Sequence, residues 1–381
     1  MNILWINKIT DAECWRTTQL GLTSALRKKG HNVTLVLTKN VGEKKHSKED
    51  ITYIPTIHSP ILSGLFFGLI VSFYFPLFIR KNKPDIILID GTSVWLPFVM
   101  TLKLFKIPIV MDIRTLPIKK TRSYLFDSCI HSSKIIADAL TTITPDLVAI
   151  IRKEYDFNSK KIGIWPSGVS LDDFTIKNNG NNGKKQHDSK FIVMHHGSFG
   201  YDRGMDDLIQ SIAELDEPLR EKTKLSIVGI NKEKQKEFQR LSKKIGVEKQ
   251  VEILPRVEYK KIPYLIQKSD VGIIPLSPDK EYWRVSVPLK TLEYMAMGKA
   301  IIATNIPFHQ SVFEKGKCGT LIKSKTPKSI SKAITKLYQN KDKLEEMGKT
   351  AREIVKKNYT WDCIAADLEI FFKEIIEDYK K

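Results

Sequence analysis

The sequence predicts an α/β protein built from two doubly wound, parallel-sheet domains. Short apolar strand patterns alternate with helical patterns in two sets, which favours parallel sheets covered by helices on both faces. A polar stretch without periodicity, Asn178–Ser189, separates the two sets. The chain has 381 residues, which is long enough for two domains with complete cores. Such sheets bind ligands beyond the carboxyl ends of their strands, so a functional site is expected there.

The individual elements follow from the spacing of the apolar residues. In the first set, strands are predicted at Ile3–Ile6, Val33–Leu37, Ile86–Ile89, Ile109–Ile113, Thr141–Thr144 and Lys161–Trp165, and helices at Trp15–Lys29, Trp95–Phe105 and Ser123–Ala139. In the second set, strands are predicted at Phe191–His195, Leu225–Val228, Val251–Leu254, Val271–Pro275, Ala300–Ala303 and Gly319–Ile322. Long helical patterns close the chain at Lys341–Lys357 and Trp361–Tyr379.

The formal net charge of +19 implies an anionic partner. Nucleic acid, a membrane surface and phosphorylated small molecules are all anionic. Nucleic acid is the weakest of these choices, because the basic residues are scattered and no zinc-finger spacing or RNA-recognition motif occurs. We therefore expect no nucleic-acid partner, and we expect part of the basic surface to face acidic lipid head groups.

Cysteine usage and the N-terminus indicate the compartment. Cys14, Cys129, Cys318 and Cys363 lie far apart, without C-x-x-C or zinc-site spacing. This pattern is typical of reduced, mostly buried thiols in a cytosolic protein. The first residues begin a strand at once, which argues against a signal peptide. We expect a cytoplasmic location, with peripheral attachment to the inner face of the cell membrane as a hypothesis.

The segment Ile61–Ile79 carries no charge over 19 residues, a length that by itself is enough to span a bilayer. It contains two glycines and a proline and falls between two strands of one predicted sheet, so a core helix or an interfacial helix is favoured over a span. Its aromatic residues are Phe66, Phe67, Phe73, Tyr74 and Phe75. The basic residues close to it in sequence are Lys44, Lys45, Arg80, Lys81, Lys83 and Lys119–Arg122. Together they predict contact with an anionic membrane surface.

The stretch Ser286–Asn305 combines a short helix with polar chemistry and a following strand. Ser286 is predicted as the N-cap, and Gly298 as the residue that ends the helix. Lys290 and Glu293 are three residues apart, so they project from neighbouring positions on one face. The helix amino end and Lys290 favour an anion, and Glu293 is placed one turn deeper to accept hydrogen bonds from ribose hydroxyls. This arrangement indicates a sugar-nucleotide site; an ordinary surface Lys–Glu pair is the alternative.

A glycine-rich loop follows the first strand of the second set. It reads Gly197-Ser198-Phe199-Gly200-Tyr201-Asp202-Arg203-Gly204. Loops that join a strand to a helix bind phosphates through their backbone amides, and Arg203 adds a permanent charge with bidentate geometry for phosphate oxygens. The candidate substrate-binding residues are therefore Gly197, Ser198, Phe199 and Gly200; a tight turn with an exposed arginine is the alternative.

The helix resembles the donor-site helix of family-4 glycosyltransferases, which are retaining enzymes of the GT-B fold. The residues that match the pattern S-x-P-x-K-x-x-E-Y-M-A-x-G-K are Ser286, Pro288, Lys290, Glu293, Tyr294, Met295, Ala296, Gly298 and Lys299. The resemblance covers nearly the whole chain and implies two Rossmann-like domains that face each other across a cleft. It implies an acceptor domain at residues 1–175, a linker or exposed loop at 176–190, a nucleotide-sugar domain at 191–360, and a C-terminal helix at 361–381 that packs back on the first domain.

The resemblance also implies roles for single residues. Glu293 would bind the donor ribose, and the loop with Arg203 would bind the donor diphosphate. Two positions depart from the family pattern: the first glutamate, which touches the transferred sugar in the family, falls on Val285, and the loop arginine falls on Ser198. The diphosphate charge would then rest on Arg203 and Lys290. Arg284 is a third candidate cation, and Glu281 and Asp279 are the nearby carboxylates.

Other turns carry weaker resemblances. The turn with Arg256 and Val257 resembles the family's nucleobase-binding turn, although a plain turn is the alternative. Pro166–Val169 resembles the turn at the family's domain junction. Arg114 matches a position at which family members carry His or Arg, and it would contact a donor or acceptor phosphate; an ion pair with a neighbouring aspartate, Asp112 or Asp90, is the alternative. Of the adjacent pair His195-His196, at most one side chain is expected to reach the site, because neighbouring residues point to opposite faces.

Several motifs of other enzyme classes do not occur in the sequence. There is no D-x-D metal–diphosphate clamp, no P-loop, no G-x-S-x-G elbow and no G-x-G-x-x-G after the first strand. We therefore expect no metal and no cofactor, with the nucleotide sugar acting as a substrate. Helix amides, Arg203 and Lys290 would stabilise the leaving-group charge.

The predicted function is a metal-independent, retaining glycosyltransferase of the hexosyltransferase type. It would move a sugar from a nucleotide sugar, preferably UDP-linked, to a saccharide or lipid-linked acceptor of the cell envelope. The candidate catalytic residues are Arg203, Lys290 and Arg114, and the candidate substrate-binding residues are Gly197, Ser198, Phe199, Gly200, Arg256, Val257, Arg284, Ser286 and Glu293. Two alternatives are a non-catalytic sugar-nucleotide-binding partner in an envelope-polysaccharide complex and a nucleotide-sugar epimerase of similar fold.

Overall fold

A computed structural model describes residues 1–10, 16–40, 51–56, 67–70, 72–91, 100–117, 120–158, 160–176, 190–197 and 204–381. The chain divides into two compact units. Unit 1 comprises Met1–Gly168, Val285–Val287 and Trp361–Lys381, and unit 2 comprises Val169–Arg284 and Pro288–Thr360. The boundary at Gly168 comes before the predicted one at residue 175, and most of the predicted linker 176–190 lies outside the described residues.

Unit 1 is built on a seven-stranded parallel sheet with the order β3-β2-β1-β4-β5-β6-β7. The strands are β1 (Asn2–Thr10), β2 (Asn32–Asn40), β3 (Ile51–Thr56), β4 (Ile86–Asp90), β5 (Ile109–Ile113), β6 (Ala139–Thr142) and β7 (Lys161–Ile164). The sequence predicts all of them except β3. That strand contains Pro55, a residue that sheets accept at an edge, which is where β3 lies.

Unit 2 is built on a six-stranded parallel sheet with the order β10-β9-β8-β11-β12-β13. The strands are β8 (Phe191–His196), β9 (Thr223–Ile230), β10 (Val251–Pro255), β11 (Val271–Ile274), β12 (Ala300–Thr304) and β13 (Gly319–Ile322). All six are predicted from the sequence. The strand order reverses at β8, which has β9 on one side and β11 on the other. The carboxyl end of β8 is therefore the switch point at which such sheets bind ligands.

Helices connect most of these strands. In chain order they are α1 (Arg16–Lys28), α2 (Phe75–Asn82), α3 (Met100–Lys103), α4 (Lys120–Ile136), α5 (Pro145–Tyr155), α6 (Met205–Ala213), α7 (Glu217–Lys222), α8 (Lys232–Lys244), α9 (Ile262–Lys268), α10 (Glu281–Arg284), α11 (Leu289–Ala296), α12 (Pro307–Lys315), α13 (Pro327–Gln339), α14 (Leu344–Asn358) and α15 (Trp361–Lys380). Short 3₁₀ turns occur at Tyr259–Lys261 and Lys341–Lys343. The predicted helix Trp95–Phe105 is described only from residue 100, where α3 begins.

The C-terminal helix α15 packs on unit 1, as the fold prediction requires. Its first residue, Trp361, lies against two glycines. An ideal β-carbon at Gly21 would be 2.6 Å from the indole Cε2 atom and closer still to Nε1, and one at Gly168 would be 2.7 Å from Cε3. Further along the helix, Glu369 pairs with Lys29 of unit 1 at 3.0 Å. The absence of side chains at the two glycines therefore creates the space that the indole fills.

The apolar segment Ile61–Ile79 is described for residues 67–70 and 72–79. Residues 67–70 and 72–73 are helical, Tyr74 forms a turn, and α2 follows. Phe75 and Ile79 are buried, whereas Phe73 is 76 % and Leu77 66 % exposed. The segment thus has one buried and one exposed apolar face. Within the described ranges, no helix is both long enough and apolar enough to cross a membrane.

The described cysteines agree with the prediction of reduced thiols. Cys129 and Cys318 are buried, Cys363 is half-buried, and all three are thiols rather than disulfides. Cys14 lies outside the described residues.

Candidate functional site

The site in unit 2 begins at Gly197, directly after β8. Gly197 has φ +113°, and its amide donates to the carbonyl of Val228 at the end of the neighbouring strand, at 3.0 Å. The backbone of Gly229 approaches Gly197 so closely that a β-carbon at Gly229 would be 2.8 Å from the Gly197 carbonyl oxygen. Gly204, with φ +67°, forms the N-cap of α6. Ser198, Phe199, Gly200 and Arg203, which the sequence assigns to a phosphate site, lie between these glycines and outside the described residues.

Helix α11 carries the two polar residues of the predicted donor site. Its N-cap is Pro288, in an extended conformation (φ −69°, ψ 116°), so the predicted N-cap role of Ser286 is wrong. The extended backbone of Pro288 delays the helix to Leu289, and Ser286 is grouped with unit 1. The prediction for Gly298 is confirmed, since it has φ +64°. Its amide donates to the Met295 carbonyl, and the amide of Lys299 donates to the Tyr294 carbonyl. These two hydrogen bonds form a Schellman motif, which is a usual helix ending.

Packing fixes the position of α11 over the sheet. The ring of Tyr294 lies on Gly272 of β11, where a β-carbon would be within 2.5 Å of the ring, and its hydroxyl donates to the Met194 carbonyl of β8 at 2.8 Å. On the other side, the Thr291 hydroxyl and His309 Nε2 are 2.9 Å apart. All residues from Thr291 to Ala296 are buried. The side chains of Lys290 and Glu293 are therefore held by a rigid element.

The structure brings Lys290 to Gly197. A β-carbon at Gly197 would be 2.7 Å from the Lys290 Nζ atom, so the ammonium group lies beside the backbone at the end of β8. Burial lowers the pKa of His196, and the positive charge of Lys290 adds to that shift, whereas for Glu293 the same charge opposes the rise in pKa that burial causes. A cation at the switch point, close to the amino end of a helix, is chemically suited to an anion such as a diphosphate.

Glu293 is buried at the same place, with 4 % of its surface exposed. Its Oε1 accepts a hydrogen bond of 2.7 Å from the Tyr259 hydroxyl, and its Oε2 lies 3.3 Å from His196 Nε2. Burial raises the pKa of Glu293, while the Tyr259 hydrogen bond and Lys290 oppose that shift. A buried carboxylate of this kind is suited to accept hydrogen bonds from neutral hydroxyls.

The two adjacent histidines separate as expected. His195 is a core residue whose Nδ1 lies 2.8 Å from the Ile273 carbonyl oxygen. His196 faces Glu293, and its ring packs edge-on against Tyr294 at 5.0 Å. Burial, with the charge of Lys290, lowers the pKa of His196 well below its ordinary value. His196 is therefore a neutral neighbour of Glu293.

The other described residues of the predicted site in unit 2 are more exposed than Glu293. Arg284 at the end of α10 is exposed, as is Arg256, while Val257 is half-buried. Val285, which stands in place of the family's first glutamate, is only 1 % exposed. Sequence reasoning missed Tyr259, because nothing in the local pattern distinguishes this tyrosine from others. The one available signal is its position, two residues beyond Val257 in the expected nucleobase turn.

Arg114 in unit 1 is engaged with its own unit. Its guanidinium stacks 3.5 Å from the ring centre of Trp165, donates to the Trp165 carbonyl at 3.2 Å, and lies 3.9 Å from Asp112. Burial raises the pKa of Asp112 to about 7, although Arg114 and the Thr141 hydroxyl oppose the shift. These contacts favour the ion-pair alternative for Arg114 over the predicted catalytic role.

Throughout the described part of the chain, no three His, Cys, Asp or Glu side chains are grouped so that they could hold a metal ion. The polar groups of the unit 2 site are instead a cation, a carboxylate and backbone amides.

Two family matches cover most of the chain. Residues 17–173 match Glycosyltransferase Family 4, and residues 177–354 match Glycosyl transferases group 1. The uncharacterized glycosyltransferase MJ1069 of Methanocaldococcus jannaschii is 24% identical over 268 residues, which are 69% of this chain and 62% of that protein. The chain thus spans less than two thirds of the length of this relative.

Solved structures share the architecture. Sucrose-phosphate synthase from Thermosynechococcus elongatus superposes with a TM-score of 0.77 at 14% identity, over 99% of this chain and 100% of the other. Anabaena HepE in complex with UDP superposes with a TM-score of 0.75 at 13% identity, over 98% of this chain and 100% of the other. At these identities the likeness establishes the fold. The two family matches and the two parallel-sheet units place the chain among the family 4 and group 1 glycosyltransferases of GT-B fold.

Proposed function

We propose that this chain is a retaining, metal-independent glycosyltransferase of the hexosyltransferase type, which moves a sugar from a nucleotide sugar to a saccharide or lipid-linked acceptor of the cell envelope. The observation that carries the proposal is the position of the Lys290 ammonium group beside Gly197 at the end of β8, one helical turn from the buried carboxylate of Glu293. A nucleotide sugar carries a ribose joined directly to a diphosphate. The site thus offers one group suited to each part of the donor.

The electrostatic arrangement supports transfer as well as binding. In the proposed reaction, the bond between the anomeric carbon and the diphosphate oxygen breaks, a bond to an acceptor hydroxyl oxygen forms, and the proton of that hydroxyl passes to the departing diphosphate. Negative charge grows on the departing diphosphate. Lys290 and the amino end of α11 would stabilise this charge without reorganisation, because α11 is fixed by packing. Arg203 and Arg284 are proposed as further cations for the same diphosphate.

A uridine donor is the preferred choice. HepE, which shares the fold, has been solved with UDP and with UDP-glucose. Thermal unfolding of this chain with a panel of UDP, GDP and ADP sugars tests the choice. A ligand at 100 times its Kd stabilises a protein by about 2.7 kcal/mol, so the correct donor raises the unfolding midpoint clearly. We expect the UDP sugars to give the largest shift.

Two variants connect that shift to the site. Lys290→Met and Glu293→Gln should each reduce donor affinity by about tenfold or more, since hydrogen bonds and contacts to charged groups are worth roughly 1.5–3 kcal/mol. Lys332→Met is the matched control, because Lys332 is exposed on α13 in the same unit. Equal donor affinity in all three variants would overturn the site assignment.

Turnover separates the proposal from the two alternatives. Wild-type protein is incubated with the bound donor and a lipid-linked saccharide, with and without a metal chelator, and the product anomer is determined by NMR. Transfer with retention that survives chelation supports the proposal. Donor binding without transfer or hydrolysis would favour a non-catalytic partner, and isomerised donor sugar without acceptor would favour an epimerase.

We also propose that unit 1 attaches to the anionic inner face of the cell membrane. The exposed apolar residues Leu69, Phe73 and Leu77 are spaced four apart and form a stripe, which Arg80 and Lys81 continue on the next turn. Helix α3 lies next to α2, and Leu104, the residue directly after α3, is 81 % exposed. An apolar stripe bordered by basic residues fits a lipid surface with acidic head groups, in which basic side chains contribute about 1 kcal/mol each.

Vesicle co-sedimentation tests this attachment. We expect the wild type to bind phosphatidylglycerol vesicles more strongly than phosphatidylcholine vesicles, and the double variant Phe73→Ser with Leu77→Ser to lose most of that binding. Ile370→Ser, at an exposed position of α15, is the matched control. No preference for the anionic vesicles would overturn the proposal, and so would a dimer in light scattering that the double variant abolishes, because the stripe would then face a second copy.

A further inference from the structure

The hydrogen bond between Tyr259 and Glu293 joins two parts of unit 2 that are distant in sequence. Tyr259 belongs to the 3₁₀ turn after β10, and Glu293 lies in the middle of α11. The tyrosine hydroxyl donates to Oε1 of the buried carboxylate at 2.7 Å, while the residue as a whole remains 45 % exposed. The hydroxyl thus points inward to Glu293, and part of the residue stays accessible to a ligand.

We propose that Tyr259 is the residue that positions Glu293 to bind the donor ribose. This inference rests on the proposed function of the site and adds to it a residue that acts through the carboxylate. By occupying Oε1, Tyr259 fixes the plane of the carboxylate and leaves Oε2 as the oxygen that can accept from a ribose hydroxyl.

The surroundings of Tyr259 hold it in place. Its ring packs edge-on against Phe174 at 5.8 Å, and Phe174 is 1 % exposed. The guanidinium of Arg352 donates to the carbonyl of Phe174 at 3.3 Å and also to the carbonyl of Ala296 at the end of α11. The segment that supports the tyrosine and the helix that carries the glutamate therefore share one partner. A fixed support is what a positioning role requires.

On the Oε2 side of the carboxylate, a ring nitrogen of His196 has hydrogen-bonding capacity that a ligand could use. His196 is 3 % exposed, and among the described residues its Nε2 makes no hydrogen bond although it lies 3.3 Å from Oε2. Buried polar atoms are normally satisfied, so an unsatisfied nitrogen beside an available carboxylate oxygen marks a place for an incoming hydroxyl. Such a hydroxyl can donate to Oε2 and, when His196 is the appropriate tautomer, accept from Nε2.

The charge state of Glu293 depends on this tyrosine. The titratable groups around the carboxylate are its neighbours Tyr259, His196, Lys290 and Tyr294. Asp173 acts on Tyr259, and His195 acts on His196. Burial raises the pKa of Glu293, and the two influences that lower it are the Tyr259 hydrogen bond and the Lys290 charge. Burial and the charge of Glu293 raise the pKa of Tyr259, so the tyrosine remains a donor. Removal of its hydroxyl would therefore move the pKa of Glu293 further upward.

The test compares two ligands in two proteins. Wild type and Tyr259→Phe are titrated by calorimetry with UDP and with 2′,3′-dideoxy-UDP, which lacks both ribose hydroxyls. We expect the variant to bind UDP about tenfold more weakly, and the dideoxy ligand within about twofold of wild type. The ratio of the Kd for 2′,3′-dideoxy-UDP to the Kd for UDP is then smaller in the variant than in the wild type. A merely structural role would weaken both ligands equally and leave the ratio unchanged.

The pH dependence gives a second readout. A protonated Glu293 is a poorer acceptor, so UDP affinity should fall as the pH is lowered, and in Tyr259→Phe the fall should begin at a higher pH. The titration of UDP itself is common to both proteins and cancels in the comparison. Tyr264→Phe is the matched control, since Tyr264 is exposed on α9 of the same unit; it should behave as wild type.

Failures of the two proposals are distinguishable. If the wild type binds UDP and Tyr259→Phe keeps both the ligand ratio and the pH profile, the role of Tyr259 is overturned while the proposed donor site stands. If the wild type binds no nucleoside diphosphate, the proposed function is overturned, and the role of Tyr259 with it. A changed ratio in Tyr264→Phe would also contradict the assignment.

Discussion

The Lys290 ammonium group lies beside the backbone of Gly197, so that a β-carbon at Gly197 would be only 2.7 Å from Nζ. Gly197 also has φ +113°, a conformation that other residues adopt at a cost of about 1–3 kcal/mol. We expect Gly197→Ala to displace Lys290 and to lower donor affinity by about tenfold or more, in addition to a loss of stability. Isothermal titration with UDP measures the affinity, and urea unfolding measures the stability.

Gly246→Ala is the control for this variant. Gly246 also has a positive φ, +72°, but a β-carbon there would meet nothing within 4 Å. The control should therefore lose about 1 kcal/mol of stability through backbone strain and retain its donor affinity. If the two variants lose the same affinity, the contact between Lys290 and Gly197 does not matter for the donor.

Tyr294 allows a test of how α11 is held over the sheet. Its hydroxyl donates to the Met194 carbonyl, and the loss of that bond in Tyr294→Phe leaves a buried carbonyl without this donor. We expect a loss of about 1–3 kcal/mol in the free energy of unfolding, measured by urea titration. Tyr338→Phe on α13 is the control and should change stability little. An unchanged unfolding free energy in Tyr294→Phe would show that ring packing on Gly272 alone fixes the helix.

Local features of the site could be predicted from the sequence, and distant contacts could not. The ending of α11 at Gly298 follows from a glycine that adopts positive φ, and every strand except β3 follows from the alternating patterns. The predicted N-cap, Ser286, is wrong, because the backbone of Pro288 is extended and the helix begins only at Leu289. The contact of Lys290 with Gly197 joins elements far apart in the chain, and no periodicity reports it.

Tyr259 cannot be predicted from the sequence for the same reason. Its function depends on the direction of its hydroxyl, which is determined by Phe174 and by the position of Glu293 in the fold. The resemblance of the helix motif to a known family implies that Glu293 binds the donor ribose. It did not indicate which partner would hold the carboxylate, because a hydrogen bond between a turn and a helix is a tertiary feature.

A variant of Arg114 can show whether this residue of unit 1 has a structural or a catalytic role. Because its guanidinium stacks on Trp165 and donates to the Trp165 carbonyl, Arg114→Lys keeps the charge and loses the flat stacking surface. We expect the variant to lose about 1–2 kcal/mol of stability, measured by thermal unfolding, and to retain UDP affinity. A turnover lowered by about a hundredfold, with an unchanged unfolding midpoint, would instead support the predicted catalytic role.

His309 makes the stability of unit 2 depend on pH. Its Nδ1 lies 2.7 Å from the Thr304 carbonyl oxygen and its Nε2 lies 2.9 Å from the Thr291 hydroxyl, so the neutral ring with the proton on Nδ1 satisfies both neighbours. Burial lowers the pKa of His309 from 6.5 to about 4. Between these values the unfolded chain holds a proton that the folded chain does not, so stability falls as the pH falls.

The expected size of this effect allows a clear experiment. Between pH 7 and pH 5 the histidine should reduce the free energy of unfolding by about 2 kcal/mol, because each pKa unit is worth about 1.4 kcal/mol. Urea unfolding of His309→Gln at both pH values should show that this contribution of about 2 kcal/mol to the pH dependence is lost. The variant should also be less stable than the wild type at pH 7. His131→Gln, at an exposed position of α4, should keep the wild-type dependence. Glutamine does not titrate in this range. If His309→Gln nevertheless retains the full difference in unfolding free energy between the two pH values, another group is responsible for that difference.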